Sequence, residues 1–165
     1  MTTAVVCENC TGFGPVTGSQ AVGEDFKALQ SFYEKGLNGL RGTITFGQKF
    51  KDARSSLVAI AEEASVDNWD SYGAKPVDEA ATSEAERFLQ MWPTGLPFPV
   101  IAAEPDGDIA LEWIEGRRRM FSISFSGANR ITYAGMFGIN EVHGTEYFGD
   151  VIPKVILDSV RRVLA

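Results

Sequence analysis

Hydrophobic positions along the chain change their spacing twice, and the changes divide it into three stretches. Residues 1–23 show neither helical nor strand periodicity. Gly12, Gly14, Pro15, Gly18 and Gly23 punctuate a polar stretch there, which predicts a flexible N-terminal arm. From Glu24 the period becomes helical. Phe26, Leu29, Gln30, Phe32 and Tyr33 fall near i, i+3, i+4 spacing, and Gly36 and Gly39 are expected to stop this first helix. Thr43–Phe46 reads as a short extended piece. A second helix follows over Gln48–Ala64, with Phe50, Ala53, Leu57, Ile60, Ala61 and Ala64 on one stripe. After a loop over 66–77, Asp78 is the expected N-cap of a third helix carrying Ala81, Ala85, Phe88, Leu89 and Trp92. Pro93, Gly95, Pro97 and Pro99 end it.

From Phe98 onward the period is two. Val100–Ala103 leads into the turn Pro105-Asp106-Gly107-Asp108, after which Ile109, Leu111 and Trp113 alternate with Ala110, Glu112 and Ile114. Glu115-Gly116 turns the chain again. Phe121, Ile123 and Phe125 then alternate with Ser122, Ser124 and Ser126, a pattern for one buried and one wetted face. Gly127-Ala128-Asn129 forms the next turn, Ile131, Tyr133 and Phe137 continue the alternation, and a weaker strand is expected over Asn140–Tyr147. Short connections imply an antiparallel meander. A last helix is expected from Asp150 to Leu164, with Pro153 tolerated in its first turn. These elements predict an α+β fold, an antiparallel four- to five-stranded meander with about four helices on one sheet face, forming a single domain over 24–165.

Charge sharpens this picture. The 165 residues hold 15 Lys+Arg and 22 Asp+Glu, a formal net charge of −7. Between Glu62 and Glu115, thirteen acidic residues face only Lys75 and Arg87, a local sum of −11, so the remainder carries +4. Positive charge gathers at Arg41–Arg54 and in Arg117-Arg118-Arg119. A chain this acidic is repelled by a phosphate backbone, which disfavours direct nucleic-acid binding. No run of about 18 apolar residues is present, which excludes a membrane-spanning helix. The opening MTTAVVCENC has no basic or long apolar region of a secretory signal, so the expected location is the cytoplasm.

Candidate chemistry is sparse. Cys7-Glu8-Asn9-Cys10-Thr11-Gly12-Phe13-Gly14 matches one knuckle of the zinc domain in Hsp40-type chaperones, and two thiolates on a Gly-rich turn supply half of a tetrahedral zinc site. With no other cysteine and with His143 as the single histidine, Cys7 and Cys10 read as reduced thiols, zinc requiring two chains to bridge. Residues 12–18 lack the Lys-Ser/Thr of a P-loop. No Gly-x-Ser-x-Gly elbow is present, and His143 reads as a solvated residue on an edge strand or loop. No cofactor is expected. Asp106-Gly107-Asp108 is shorter than an EF-hand loop and reads as a hairpin turn. Arg117, Arg118 and Arg119 read as a solvated tip that pairs with the acidic strand opposite. Trp69, Tyr72, Trp92 and Trp113 are expected to plug the helix–sheet junction, with Asp70 capping nearby N–H groups and Gly73 taking a positive φ.

Trp69-Asp70-x-Tyr72-Gly73-Ala74-x-Pro76, followed by Asp106-Gly107-x-Ile109-x-Leu111-Glu112-Trp113, resembles a loose group of small uncharacterised proteins from bacteria and their phages or mobile elements. Members share a Trp-Asp-x-x-Gly-Ala-x-Pro loop after one helix, a second helix ending near a Pro-rich turn, and a strand of this type. The resemblance covers roughly residues 50–160. It implies a bacterial or phage origin and assigns no catalytic role.

The expectation from these readings is a non-enzymatic acidic interaction protein whose partner is a protein with a basic surface. It would bind and inhibit a nucleic-acid-handling component, as anti-CRISPR and related phage inhibitors of bacterial defence do. Glu104, Asp106, Asp108, Glu112 and Glu115 are the candidate binding residues. The alternatives are a small carboxylate-dependent hydrolase near His143 and the acidic turns, and an antitoxin or immunity protein.

Overall fold

The computed structural model of the chain describes residues 24–165, with side chains from Lys27 onward. The N-terminal arm, Cys7 and Cys10 lie outside the described residues. Three α-helices and five strands follow one another as α1 (Glu24–Glu63), α2 (Glu79–Gln90), β1 (Val100–Ala103), β2 (Ile109–Ile114), β3 (Arg119–Phe125), β4 (Arg130–Phe137), β5 (Asn140–Tyr147) and α3 (Lys154–Leu164). The strands form one antiparallel meander in the order β1-β2-β3-β4-β5. The fold is α+β, as the change of period implies.

The helix count corrects the expectation of about four. The first two expected helices and the extended piece between them are one 40-residue helix, α1. Gly36 and Gly39 do not stop it, because each keeps a helical rather than a left-handed φ. A glycine inside a helix costs about 1 kcal/mol relative to alanine and ends it only where the backbone turns left-handed. Thr43–Phe46 is helical too. Ile44 is exposed there, while Phe46, one turn before Phe50, sets its ring 5.4 Å from that of Phe98. A boundary between two compact units falls inside α1, between Leu40 and Arg41. On the near side, residues 27–40 form helix with most side chains in solvent. The unit Arg41–Ala165 holds the sheet, α2, α3 and the remainder of α1.

One set of alternating strand positions lies on the sheet face that the helices cover. Ile109, Leu111 and Trp113 on β2, Phe121, Ile123 and Phe125 on β3, and Ile131, Tyr133 and Phe137 on β4 are buried. They lie under α2 and α3, which contact β2, β3 and β4. Ala53 and Leu57 of α1 join the same core. Helix α2 starts where Asp78 accepts a hydrogen bond from the Ala80 N–H at 2.7 Å, and it buries Ala81, Ala85, Phe88 and Leu89 at i, i+4, i+7, i+8 spacing. Helix α3 begins at Lys154, four residues later than expected, with Pro153 as its N-cap. Phe88 sits at the centre of an aromatic cluster, with Phe125 at 5.4 Å edge-on, Phe148 at 5.8 Å and Trp92 at 5.4 Å. Trp92 and Trp113 stack at 4.9 Å, and both indole N–H groups donate to the Pro97 carbonyl at 3.1 Å. The Pro-rich turn after α2 thus supplies the acceptor that lets two buried tryptophans stay satisfied.

Candidate functional site

The Trp69–Pro76 loop and the β1–β2 turn are built against each other. Asp70 Oδ1 accepts the N–H groups of Tyr72 at 2.7 Å and Ala74 at 3.0 Å, and these bonds hold its carboxyl below the ordinary carboxylate range. Gly73 takes φ +95°, and Trp69 donates its indole N–H to the Lys75 carbonyl at 3.0 Å. Tyr72 is exposed rather than packed into the junction. The ordered loop then reaches the hairpin: Lys75 N–H donates to Pro105 O and Asp78 N–H to Gly107 O, each at 2.9 Å. Gly107, at φ +98°, has no room for a side chain, because a Cβ there would sit 2.9 Å from the Pro76 carbonyl oxygen. The two parts of the motif are therefore one structural unit, whose visible product is a fixed turn.

That turn gathers three of the five candidate acidic residues. The carboxylates of Glu104, Asp106 and Asp108 lie within 4.8 Å of one another. Ser124 Oγ bridges two of them, 2.5 Å from Glu104 Oε2 and 3.2 Å from Asp108 Oδ2. Desolvation, the neighbouring Asp106, and the more distant Asp78 and Glu84 push the Asp108 carboxyl up, against the hydrogen bond from Ser124. Such an oxygen-rich set suits a hard divalent cation or a cationic side chain. Glu112 is half-buried farther along β2, and Glu115 is exposed beyond its far end. Seven residues of extended chain separate Asp108 from Glu115, about 23 Å, so the five do not form one patch.

The sheet face away from the helices carries an open cavity of about 290 Å³. Its floor is Ile114, Met120, Ala134 and Met136, with Ser122 beside them and Glu112, Glu141 and His143 on the rim. Register explains the grouping. Glu112 pairs with Ser122, Ser122 with Ala134, and Ala134 with His143, a single row running across four strands. Ile114, Met120, Met136 and Glu141 form the adjacent row. Ser122 and His143 are two strand steps apart, about 9.6 Å between backbones, and among the described residues no hydrogen bond joins them. A serine–histidine pair is therefore not assembled for nucleophilic attack.

Two features lay beyond sequence reasoning. The β3–β4 turn is clamped by α2: Glu84 Oε1 accepts the Asn129 N–H at 2.5 Å, and Arg87 donates to Asn129 Oδ1 at 3.2 Å while lying 4.6 Å over the Phe148 ring. Glu84 is buried and, among the described residues, its second oxygen has no hydrogen-bond partner. The other feature is the apolar character of the open sheet face. Its one sequence signal was that Ile114, Met120 and Met136 occupy positions where the alternation predicts water. Arg117, Arg118 and Arg119 are exposed at the β2–β3 turn as expected, but among the described residues they make no ion pair with the acidic strand. Among the described residues no helix is long and apolar enough to cross a membrane. No family model, curated protein or solved structure matches the chain.

Proposed function

We propose that the chain is a non-enzymatic interaction protein of phage or bacterial mobile-element origin. It binds a basic, nucleic-acid-handling protein, such as a component of a defence system, and blocks it. The observation that carries this reading is the uncovered sheet face: an apolar floor with Glu112 and Glu141 on its rim. Beyond one end of that face stands the Glu104–Asp106–Asp108 cluster. A lysine or arginine of the partner would lay its aliphatic stem along Ile114, Met120 and Met136 and present its cation to a rim carboxylate. The acidic turn would steer the encounter. An antitoxin or immunity protein would use the same surface in the same way.

The test is capture from bacterial lysate at low salt, with nuclease-treated lysate and identification of the retained proteins. Binding should weaken at least tenfold on joint reversal of Glu104, Asp106 and Asp108 to lysine, and again on Ala134→Arg, which fills the cavity with a like charge. Retention of the same partner by both variants would sink the proposal.

A carboxylate-dependent hydrolase is the second reading, favoured by the convergence of Glu112, Ser122, Glu141 and His143 on one cavity. Glu112 and Glu141 sit three strand steps and one row apart, about 16 Å between backbones, wider than the carboxyl spacing of glycosidases. Ester or glycoside turnover that disappears in both Glu112→Gln and His143→Ala would establish this reading and displace the first.

A further inference from the structure

Among the described residues, the part of α1 before the unit boundary presents an apolar face largely in solvent. Leu29 is 72% exposed, Phe32 80%, Tyr33 65% and Leu40 63%. With Leu37 and Gly36, these residues recur at i, i+3, i+4, i+7, i+8 and i+11 and share one side of the helix. Lys27, Gln30, Ser31, Glu34, Lys35 and Asn38 take the other side, where Gln30 donates to Glu34. The segment is the exposed N-terminal part of the continuous 40-residue α1. A contiguous row of large apolar side chains left in water marks an interaction face.

We propose that residues 29–40 pair with the same segment of a second copy of this chain, antiparallel. If Leu29, Phe32, Tyr33 and Leu40 were fully covered, about 600 Å² per chain would be buried, the low end of the range for a stable interface. The face also complements itself. Running antiparallel, with the two-fold axis between Glu34 and Lys35, Tyr33 meets Gly36, Phe32 meets Leu37 and Leu29 meets Leu40. The largest ring thereby falls on the one position without a side chain. Among the described residues, nothing beyond its own helix lies within 4 Å of where a Gly36 Cβ would be, so no contact there calls for glycine, whereas a close helix–helix approach does. The polar side of residues 27–40 mixes Lys27 and Lys35 with Glu34, unlike the basic face that seats a helix on an anionic membrane.

Sedimentation velocity on the full-length protein, from 1 to 200 µM, tests the proposal. The expected result is a concentration-dependent dimer. Phe32→Glu should weaken it at least a hundredfold, and far-UV circular dichroism should report lost helix on dissociation. Gly36→Ala separates pairing from helix formation. It raises intrinsic helicity, yet it should weaken the dimer about tenfold because a methyl group now blocks Tyr33 of the second copy. A monomer at every concentration overturns the proposal, as does a dimer indifferent to Phe32→Glu or strengthened by Gly36→Ala. A monomer that associates with anionic lipid vesicles through Phe32, or one whose Phe32 becomes exposed only when residues 1–23 are deleted, overturns it in favour of those occupants.

Discussion

Two glycines at nearly the same backbone angle allow the union between the Trp69–Pro76 loop and the acidic turn to be measured. Gly73 lies at φ +95° and Gly107 at φ +98°. An alanine at either position meets the same left-handed penalty, about 1–2 kcal/mol. Only at Gly107 does the new methyl group also collide, since its Cβ would stand 2.9 Å from the Pro76 carbonyl oxygen, while at Gly73 nothing lies within 4 Å. The collision pushes apart backbones tied by the Asp78 N–H to Gly107 carbonyl bond, and overpacking of this kind costs about 1–3 kcal/mol. Gly73→Ala should therefore destabilise by about 1–2 kcal/mol and Gly107→Ala by about 2–5 kcal/mol. At a urea m-value near 2 kcal/mol/M, the Gly107→Ala midpoint should drop by about 1–2.5 M and the Gly73→Ala midpoint by half a unit to one. Equal shifts for the two variants would refute the reasoning, because the loop would then not be pressed against the turn. A changed m-value in either variant would show that the comparison had left two-state behaviour.

Other expectations follow from the same packing. Glu84→Leu strands the Asn129 N–H and should cost about 1–3 kcal/mol, whereas Glu84→Gln keeps an acceptor and should cost less; equal losses in urea unfolding would count against the clamp. Asp108 and Asp70 should respond to pH with opposite signs. The Asp108 carboxyl is raised above its ordinary 3.8, so the folded state holds more protons and stability falls as pH rises through 3.8 to the folded value; Asp108→Asn should remove that fall and stabilise the protein at neutral pH. Asp70 is lowered from 3.8, so its contribution is present above that value and is lost as pH falls through the folded value; Asp70→Asn should flatten the acid limb of a stability–pH profile. The Arg54–Glu86 pair at 2.5 Å is partly exposed, and Arg54→Ala should change stability by less than about 1 kcal/mol.

The meander was legible because its signals are local. Period-two runs are separated by turns at Gly107, Gly116, Gly127 and Asn129, and all four adopt positive φ. The cap at Asp78 and the Asp70–Gly73 turn were readable for the same reason, since each bonds within a few residues of itself. Continuous α1 was not legible. Gly36 and Gly39 mark a stop only when the backbone leaves the helix after them, and composition does not reveal that. The clamp by Glu84 and Arg87 spans more than 40 residues to Asn129 and has no periodic trace. The cavity eluded pattern for another reason: Ala110, Glu112 and Ile114 alternate correctly with the core residues, yet alternation says only that two faces exist. Which of them three helices leave uncovered is a property of the assembled layers.

The shared acceptor at Pro97 has an optical consequence. Two indoles stacked at 4.9 Å with both N–H groups held to one carbonyl are close and fixed enough for their electronic transitions to couple. The folded protein should therefore show a split aromatic signal in circular dichroism that belongs to neither tryptophan alone. It should vanish in Trp92→Phe and in Trp113→Phe alike. Because the pair joins the end of α2 to β2, that signal follows the meeting of helix and sheet, while the far-ultraviolet band is dominated by the long α1. Loss of one before the other would time the separation of the layers without any added label.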